Sequence, residues 1–305
     1  MHRIPMAVLS ALALIAGVFA VGCDDEGDPA PTSDGRLQVV ATIPPIAALA
    51  REDGADLISL TVLAGVGVDP HEFEIKSDGR KAVDRAAVVL RNGIGIDAFL
   101  DKAIKGKASK VVTVTDGLKL RTEGNGKNAE EDPHVWHSIE NDKAMVDAIV
   151  AALSKADAAN AEAFKRNGEA YKLKLDAVDI EIRKLIDTIP AANRKMVTNH
   201  DAFGYFIEHY GLTFVGAVIP NLTTQAEPSA KETAALVETI KREKVKAIFA
   251  ESSVDPKIAA QIAKDTNVKI VDDLYGDSLG EPGSGAESVD GMLLANARKI
   301  VEALK

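Results

Sequence analysis

The chain is short of the residues that bind nucleic acids and nucleotides. Of its 305 residues only 4% are aromatic, which leaves few side chains for stacking on bases, and its formal net charge of −10 opposes a phosphate backbone. The phosphate-loop pattern is missing, and Gly93-Ile94-Gly95 lacks the third glycine of a dinucleotide-binding fingerprint. The composition therefore predicts no nucleic-acid partner and gives no support to a nucleotide-dependent enzyme.

The single cysteine, Cys23, lies where an N-terminal apolar run ends. Arg3 precedes the apolar residues 4–22, and a segment rich in Gly, Pro and Asp follows. This layout predicts a signal peptide over residues 1–22, lipidation of Cys23 and a flexible spacer over residues 23–36. The lipid would tether a soluble domain in the periplasm or on the outer face of the cytoplasmic membrane, with no thiol left for a disulfide. The alternative is an uncleaved anchor, since about 19 apolar residues can just span a bilayer.

Short β-branched runs alternate with helical patterns in two blocks, residues 37–156 and 191–305. Such alternation predicts an α/β fold with two lobes, each a mainly parallel sheet flanked by helices. The length of the chain also suits two domains. The predicted strands are residues 37–42, 57–63, 87–92 and 110–115 in the first lobe, and 195–199, 212–218, 246–251 and 269–274 in the second. The predicted helices are residues 45–54, 77–87, 232–244 and 256–266.

The segment between the blocks, residues 157–190, predicts one long linking helix. From Phe164 to Leu185 its apolar residues recur at spacings of 7, 4, 3, 4 and 3, and no proline interrupts it before Pro190. About 30 residues of helix would be roughly 45 Å long, enough to run along both lobes and to limit hinge bending between them. The alternative is two ordinary helices broken near Gly168.

The tripeptide Asp-Pro-His occurs twice, at residues 69–71 and 132–134. Proline fixes its own φ and restricts the residue before it, so each histidine follows a stiff corner, as at the first turn of a helix capped by the aspartate. Such a corner can aim His71 and His134 across a gap at little entropic cost. Either histidine alone could equally be a capping or packing residue.

A third histidine and a carboxylate come at the ends of strands in the second block. His200 directly follows a predicted strand, and Asp277 lies in a glycine-rich turn after the last one. Ligands of open α/β sheets gather at the carboxyl ends of the strands. Asp201 would orient the imidazole or cap the next helix, and Asp277 could simply serve its turn. Together, three imidazoles and one carboxylate form a four-coordinate set that suits a divalent metal ion.

The chain resembles the metal-binding solute receptors of bacterial ABC importers, in the cluster that contains the zinc-uptake and treponemal receptors. The matching motifs run in the family's order over nearly all of residues 37–305, and they are VVATIPPIAAL, VDPHEFEIKSDGRKAVDRAAVVLRNGIGID, EDPHVWHS, TNHDAFGYF, IPNLTTQAEPSAKE, IFAESSVDPK and LYGDSLGEPGSGAES. The resemblance implies a metal site between the lobes, with His71 and His134 from the first lobe and His200 and Asp277 from the second. It also implies a monomeric receptor that delivers its ion to a membrane permease.

The chain departs from the family pattern in ways that affect the site. His137 replaces the usual leucine of DPHVWLDP, so it is either an accessory ligand or a surface imidazole, while Trp136 is expected to pack under the ligand loop. Glu251 ends a strand near the cleft and is a second accessory candidate, as a group that supports a ligand. The His-rich loop of many zinc receptors is absent or rudimentary here, which slightly weakens an assignment to zinc. Manganese receptors typically have Glu at the position of His200, so three His and one Asp favour Zn²⁺ over Mn²⁺.

Two enzyme classes compete with the receptor interpretation. Residues 276–280 read GDSLG, the signature of a hydrolase group with Ser278 as nucleophile, but no histidine follows residue 209 to act as its base. Three histidines can also hold a catalytic zinc with an open water position, which a fourth ligand such as Asp277 would close. The sequence therefore predicts a receptor rather than an enzyme.

Overall fold

The structure, a computed structural model, describes His2, residues 35–124 and residues 129–305. Apart from His2, the predicted signal peptide lies outside the described residues, as do Cys23 and the spacer up to residue 34. Within the described ranges, no helix is long and apolar enough to cross a membrane.

The first lobe is a parallel four-stranded sheet with helices packed on it. Its strands are β1 (Leu37–Ala41), β2 (Ile58–Val62), β3 (Val88–Arg91) and β4 (Val111–Thr113), in the order β2-β1-β3-β4. Its helices are α1 (Pro44–Gly54), α2 (Ser77–Arg85) and α3 (Ile139–Ala156). A small antiparallel pair, β5 (Thr122–Glu123) and β6 (Glu130–Glu131), precedes α3.

The second lobe repeats this plan. Its strands β7 (Lys195–His200), β8 (Thr213–Ile219), β9 (Ala247–Glu251) and β10 (Lys269–Leu274) form a parallel sheet in the order β10-β9-β7-β8. The helices are α5 (Gly204–His209), α6 (Ala230–Glu243), α7 (Lys257–Thr266) and α8 (Val289–Leu304). The two-lobe α/β prediction is confirmed, and every predicted strand is present.

One continuous helix, α4 (Ala161–Asp187), joins the lobes. Its 27 residues make it about 40 Å long, and it packs against α1 and α3 of the first lobe and α8 of the second. The alternative of a break near Gly168 is wrong. A Cβ at this buried glycine would lie 2.7 Å from Cγ2 of Val150 in α3, so the residue permits close packing of the two helices.

The largest apolar core of the described residues runs through both lobes along α4, and each lobe has a smaller core of its own. The largest core includes Phe164 and Leu175 of α4, Ile46 of the first lobe and Leu293 of the second. Because the carboxyl ends of both sheets lie on either side of one cleft, the loops that leave these strands face one another there.

Candidate metal centre

Both Asp-Pro-His segments form tight turns rather than helix starts. Oδ1 of Asp69 accepts the N–H of His71 (2.9 Å), and Oδ1 of Asp132 accepts the N–H of His134 (3.0 Å). His134 precedes only a single 3₁₀ turn, because α3 begins at Ile139 and takes its cap from Ser138. The expectation that these aspartates cap the first turn of a helix is therefore wrong. The aspartates close turns over two residues, and these turns aim the imidazoles.

Four predicted side chains converge in the cleft. The candidate ligand atoms of His71, His134, His200 and Asp277 all lie within 4.8 Å of one another. Asp277 is central, with its oxygens 3.3 Å from Nε2 of His71, 3.3 Å from Nε2 of His134 and 3.5 Å from Nε2 of His200. Nε2 of His134 lies 3.4 Å from Nε2 of His200. Two residues from each lobe thus form one compact set.

The centre is closed to solvent except on one side. Three of the four side chains are fully buried, whereas that of His71 is 6% exposed. His71 also lines a groove of about 580 Å³ between the lobes, together with Phe73 and Phe99 of the first lobe and Leu222 of the second. An ion could therefore reach the centre from the side of His71.

A buried carboxylate holds the ring of His134 in place. Nδ1 of His134 lies 2.8 Å from Oδ1 of Asp132, whose Oδ2 is 2.8 Å from Nη1 of Arg121. Burial disfavours a charged His134, but Asp277 and Asp132 outweigh it and raise its pKa to about 10. The contact at Nδ1 directs Nε2 towards the centre.

Glu251 supports the second-lobe half of the centre. Its Oε1 lies 2.5 Å from Nδ1 of His200, and its Oε2 accepts the N–H of Asp277 at 3.1 Å. Glu251 thus contacts the outer side of the imidazole and stands outside the group of four. This geometry suits an orienting residue better than a ligand. Asp201 is the other candidate for orienting His200. Burial, and then the neighbouring Glu123, raise its pKa to about 6.

The acidic charge at the centre is balanced by the imidazoles. Burial alone would raise the pKa of Asp277, but His200 and His134 hold it well below the usual range. Burial likewise opposes the protonation of His200, yet Glu251 and Asp277 raise its pKa. The centre is therefore built around an ionised carboxylate.

His137 is neither a surface imidazole nor one of the four clustered residues. Its side chain is fully buried, with ring centroids 4.9 Å from Phe203 and 5.8 Å from Trp136. The expectation of an exposed ring is wrong because Phe203, from the second lobe, covers the position. Burial, and then the neighbouring His134, lower the pKa of His137 to about 3, so the ring is neutral.

Trp136 packs beneath the ligand loop, as predicted. Its side chain is fully buried, and its indole Nε1 donates to the carbonyl of Gly276 at 2.9 Å. This bond ties the loop of His134 to the loop of Asp277. His209, the last histidine of the sequence, lies outside the cluster and contacts Asp179 and Arg183 near the surface.

Comparison with known proteins identifies the family. The family model described as the periplasmic zinc-uptake complex component A, ZnuA, matches residues 39–303. The chain belongs to the ZnuA family.

Several named relatives of this ZnuA-family chain are lipoproteins of metal importers. The manganese-binding lipoprotein MntA of Bacillus subtilis is 34% identical over 307 residues, covering 97% of this chain and 99% of MntA. The metal ABC transporter substrate-binding lipoprotein ScbA of Streptococcus cristatus is 32% identical over 302 residues, covering 96% of this chain and 97% of ScbA. The periplasmic zinc-binding protein TroA of Treponema pallidum matches in structure with a TM-score of 0.83 at 30% identity, covering 88% of this chain and 99% of TroA.

Membership of the ZnuA family removes the enzymatic alternatives. The family consists of substrate-binding components of ABC importers and not of enzymes. The hydroxyl of Ser278 accepts the N–H of Gly67 at 2.7 Å and donates to the carbonyl of Leu279, and no imidazole bonds to it within the described ranges. The hydrolase and zinc-enzyme interpretations are therefore wrong, and Ser278 instead makes a contact between the lobes.

Sequence reasoning identified Glu251 as a supporting residue, but it missed Arg121 and the contact of Gly67 with Ser278. Arg121 belongs to no recognised motif. Its guanidinium nevertheless contacts Asp132 of the first lobe and Glu208 of the second. The partnership of Gly67 with Ser278 joins residues 211 positions apart. Apart from the position of Glu251 at a strand end, the available signal was the aspartate of each Asp-Pro-His segment.

Proposed function

We propose that the protein is an extracytoplasmic receptor that binds one divalent metal ion, preferentially Zn²⁺, and delivers it to the permease of an ABC importer. In this proposal His71, His134, His200 and Asp277 are the ligands. Both oxygens of Asp277 and Nε2 of His71 are buried without a hydrogen-bond partner in the described part of the chain. Buried polar atoms rarely stay unpaired, so a bound cation accounts for them.

The donor atoms of the four side chains and their spacing support the zinc assignment. A tetrahedral ion with bonds of about 2.0–2.1 Å has ligand atoms about 3.3–3.4 Å apart. Oδ2 of Asp277 lies 3.3 Å from Nε2 of His71 and 3.5 Å from Nε2 of His200, and Nε2 of His134 lies 3.4 Å from Nε2 of His200, while the four candidate ligand atoms all lie within 4.8 Å of one another. Three nitrogen donors and one oxygen donor also suit zinc better than manganese, which prefers oxygen.

Manganese is the second candidate because relatives carry that name. MntA of Bacillus subtilis and PsaA of Streptococcus anginosus, the latter 31% identical over 302 residues, are both named for manganese. The receptor function is the same in either case, and only the transported ion differs.

The receptor would act outside the cytoplasmic membrane, tethered as a monomer by the lipid on Cys23. The names of its relatives as lipoproteins support this location. Residues 37–156 and 191–305 would form the two lobes, with 157–190 as the link. Since the core is continuous along α4, metal release requires only small lobe rotations, and X-ray scattering of metal-free and loaded protein should give nearly superimposable curves.

The first test is a competition titration of the metal-stripped protein with zinc and with manganese against a chelator of known affinity. We expect one tightly held equivalent of zinc, which His200→Ala and Asp277→Ala should lose. His209→Ala is the matched control because it removes an imidazole outside the cluster. Tighter manganese binding would change the ion, an unchanged affinity of Asp277→Ala would refute the four-ligand site, and no stoichiometric binding of either ion would refute the proposal.

A further inference from the structure

The three imidazoles of the centre are not held equally. His134 has Asp132 against its Nδ1, and His200 has Glu251. Among the described residues, the only carboxylate within ion-pair distance of His71 is Asp277, on its Nε2 side. The ring of His71 is also the one with access to solvent. Its position must therefore be fixed by the backbone that carries it.

That backbone is held by the opposite lobe. The His71 segment, residues 67–73, makes three hydrogen bonds with side chains of the second lobe, donating one and accepting two. Ser278 Oγ accepts the N–H of Gly67 at 2.7 Å, and Thr224 Oγ1 donates to Oδ2 of Asp69 at 2.6 Å. Gln225 Nε2 donates to the carbonyl of His71 itself at 2.6 Å. We call Ser278, Thr224 and Gln225 the clasp.

The clasp acts on both sides of the aspartate of Asp-Pro-His. Asp69 uses Oδ1 to close the turn onto the N–H of His71 and Oδ2 to accept Thr224. The same carboxylate therefore shapes the turn and attaches it to the second lobe. In the other Asp-Pro-His segment, the second oxygen of Asp132 instead accepts a hydrogen bond from Arg121 of its own lobe.

The clasp is also linked to the proposed ligand Asp277. Ser278 directly follows Asp277 in the chain. A shift of their loop therefore moves Asp277 together with the Ser278 hydroxyl that accepts the N–H of Gly67. Ser278 is fully buried, whereas Thr224 is half-buried and Gln225 is exposed at the rim of the groove. Two of the three clasp residues thus lie where a docking partner can reach them.

We infer that Ser278, Thr224 and Gln225 are positioning residues that set the rate at which the ion leaves, by holding His71 at the centre. This inference rests on the proposed function. When the clasp breaks, the His71 segment swings away and opens the centre towards the groove. His134 and His200 stay in place because their carboxylates do not depend on the clasp.

The test compares release rates of the purified full chain and of clasp variants. Zinc-loaded protein is mixed with excess chromogenic chelator in a stopped-flow instrument. Each of Ser278→Ala and Thr224→Val removes one hydrogen bond to the His71 segment and should speed release about 3- to 10-fold, and the double variant should exceed either. Stoichiometry should remain one ion per chain.

Matched controls remove equivalent hydroxyls far from the cleft. Ser154→Ala removes a hydroxyl on α3 with no hydrogen-bond partner in the described structure, and Thr213→Val removes an exposed hydroxyl at the start of β8. Both should release zinc at the parental rate.

A second measurement needs no metal. Amide hydrogen exchange of the stripped protein should become faster in the His71 segment of each clasp variant, while residues 132–137 keep their protection. A general loss of stability would accelerate both regions alike. Should Ser278→Ala fail to fold, Thr224→Val lies at the cleft rim and carries the same test.

The outcomes separate this inference from the proposed function. If the parental protein binds no ion, the receptor proposal fails. If it binds one ion but the clasp variants release it at the parental rate with an equally protected His71 segment, the receptor stands and the clasp is refuted. Equal acceleration in the two control variants would also refute it.

Discussion

The carboxylate of Glu251 occupies the space that a side chain at position 276 would need. A Cβ built on Gly276 would lie 1.7 Å from Oε2 of Glu251 and 2.1 Å from its Cδ, whereas ordinary contacts begin at 3.4 Å. Glu251 is 1% exposed at the end of β9, so it cannot swing into solvent. Gly276→Ala should therefore displace Glu251 without removing it.

Displacement of Glu251 costs the centre two contacts at once. The carboxylate leaves Nδ1 of His200, from which it is now 2.5 Å away, and the N–H of Asp277, from which it is 3.1 Å away. Loss of a residue that orients a metal ligand typically lowers affinity about 10- to 100-fold, or about 1.4–2.7 kcal/mol. We expect Gly276→Ala to weaken zinc binding by this amount.

A double-mutant cycle tests the cause. Chelator competition should give similar losses for Gly276→Ala and Glu251→Ala, and the double variant should lose no more than the worse single one, because both act through the same carboxylate. Gly65→Ala is the control, since a Cβ there meets nothing within 4 Å and no left-handed φ is required. Parental affinity in Gly276→Ala, or additive losses in the double variant, would refute the reasoning.

Three further predictions concern the choice of ion, the first-lobe support and stability. His200→Glu replaces a nitrogen donor with oxygen and should lower the zinc-to-manganese affinity ratio at least tenfold in competition titrations. Gly204→Ala would place a Cβ 1.4 Å from Nη1 of Arg121, so it should break the contact of Arg121 with Asp132 and weaken zinc binding about tenfold, as Arg121→Met should by the same titration. Burial, then the neighbouring acidic residues, raise the pKa of Asp53 from 3.8 to about 8. The folded state therefore holds a proton that the unfolded state releases, and stability falls as pH rises from about 4 to 8, by about 3 kcal/mol between pH 5 and 7.5 from this group. Asp53→Asn should remove that loss in urea denaturation at the two pH values, and an unchanged pH dependence would contradict it.

The strands and the four clustered residues were predictable because local pattern decides them. The central strands of the two sheets, β1, β3, β7 and β9, are mostly buried, and parallel strands end at one edge of their sheet. His200 is the last residue of β7, and Asp277 follows β10 by three residues. Placing these side chains near the cleft required only the strand ends and the two Asp-Pro-His turns.

Apart from the role of Glu251, the supporting contacts were not predictable because they join residues that are far apart in the sequence. The burial of His137 comes from Phe203, 66 positions away in the other lobe. The local sequence around His137 carries no information about that contact. Likewise, Gly276 reads as an ordinary turn glycine until Glu251 is seen beside it.

The long helix and the clasp divide two mechanical tasks. A wide opening of the lobes would pull Tyr171 of α4 from Asp290 of α8, whose Oδ1 accepts its hydroxyl at 3.0 Å, and would expose the shared core. Opening the clasp breaks three hydrogen bonds, each worth about 0.5–1.5 kcal/mol. A docking partner can shift an equilibrium only by its differential affinity for the two states. A few kcal/mol lies within reach of such a partner, whereas separation of the core does not, so the ion is released by movement of the His71 segment on a nearly rigid frame.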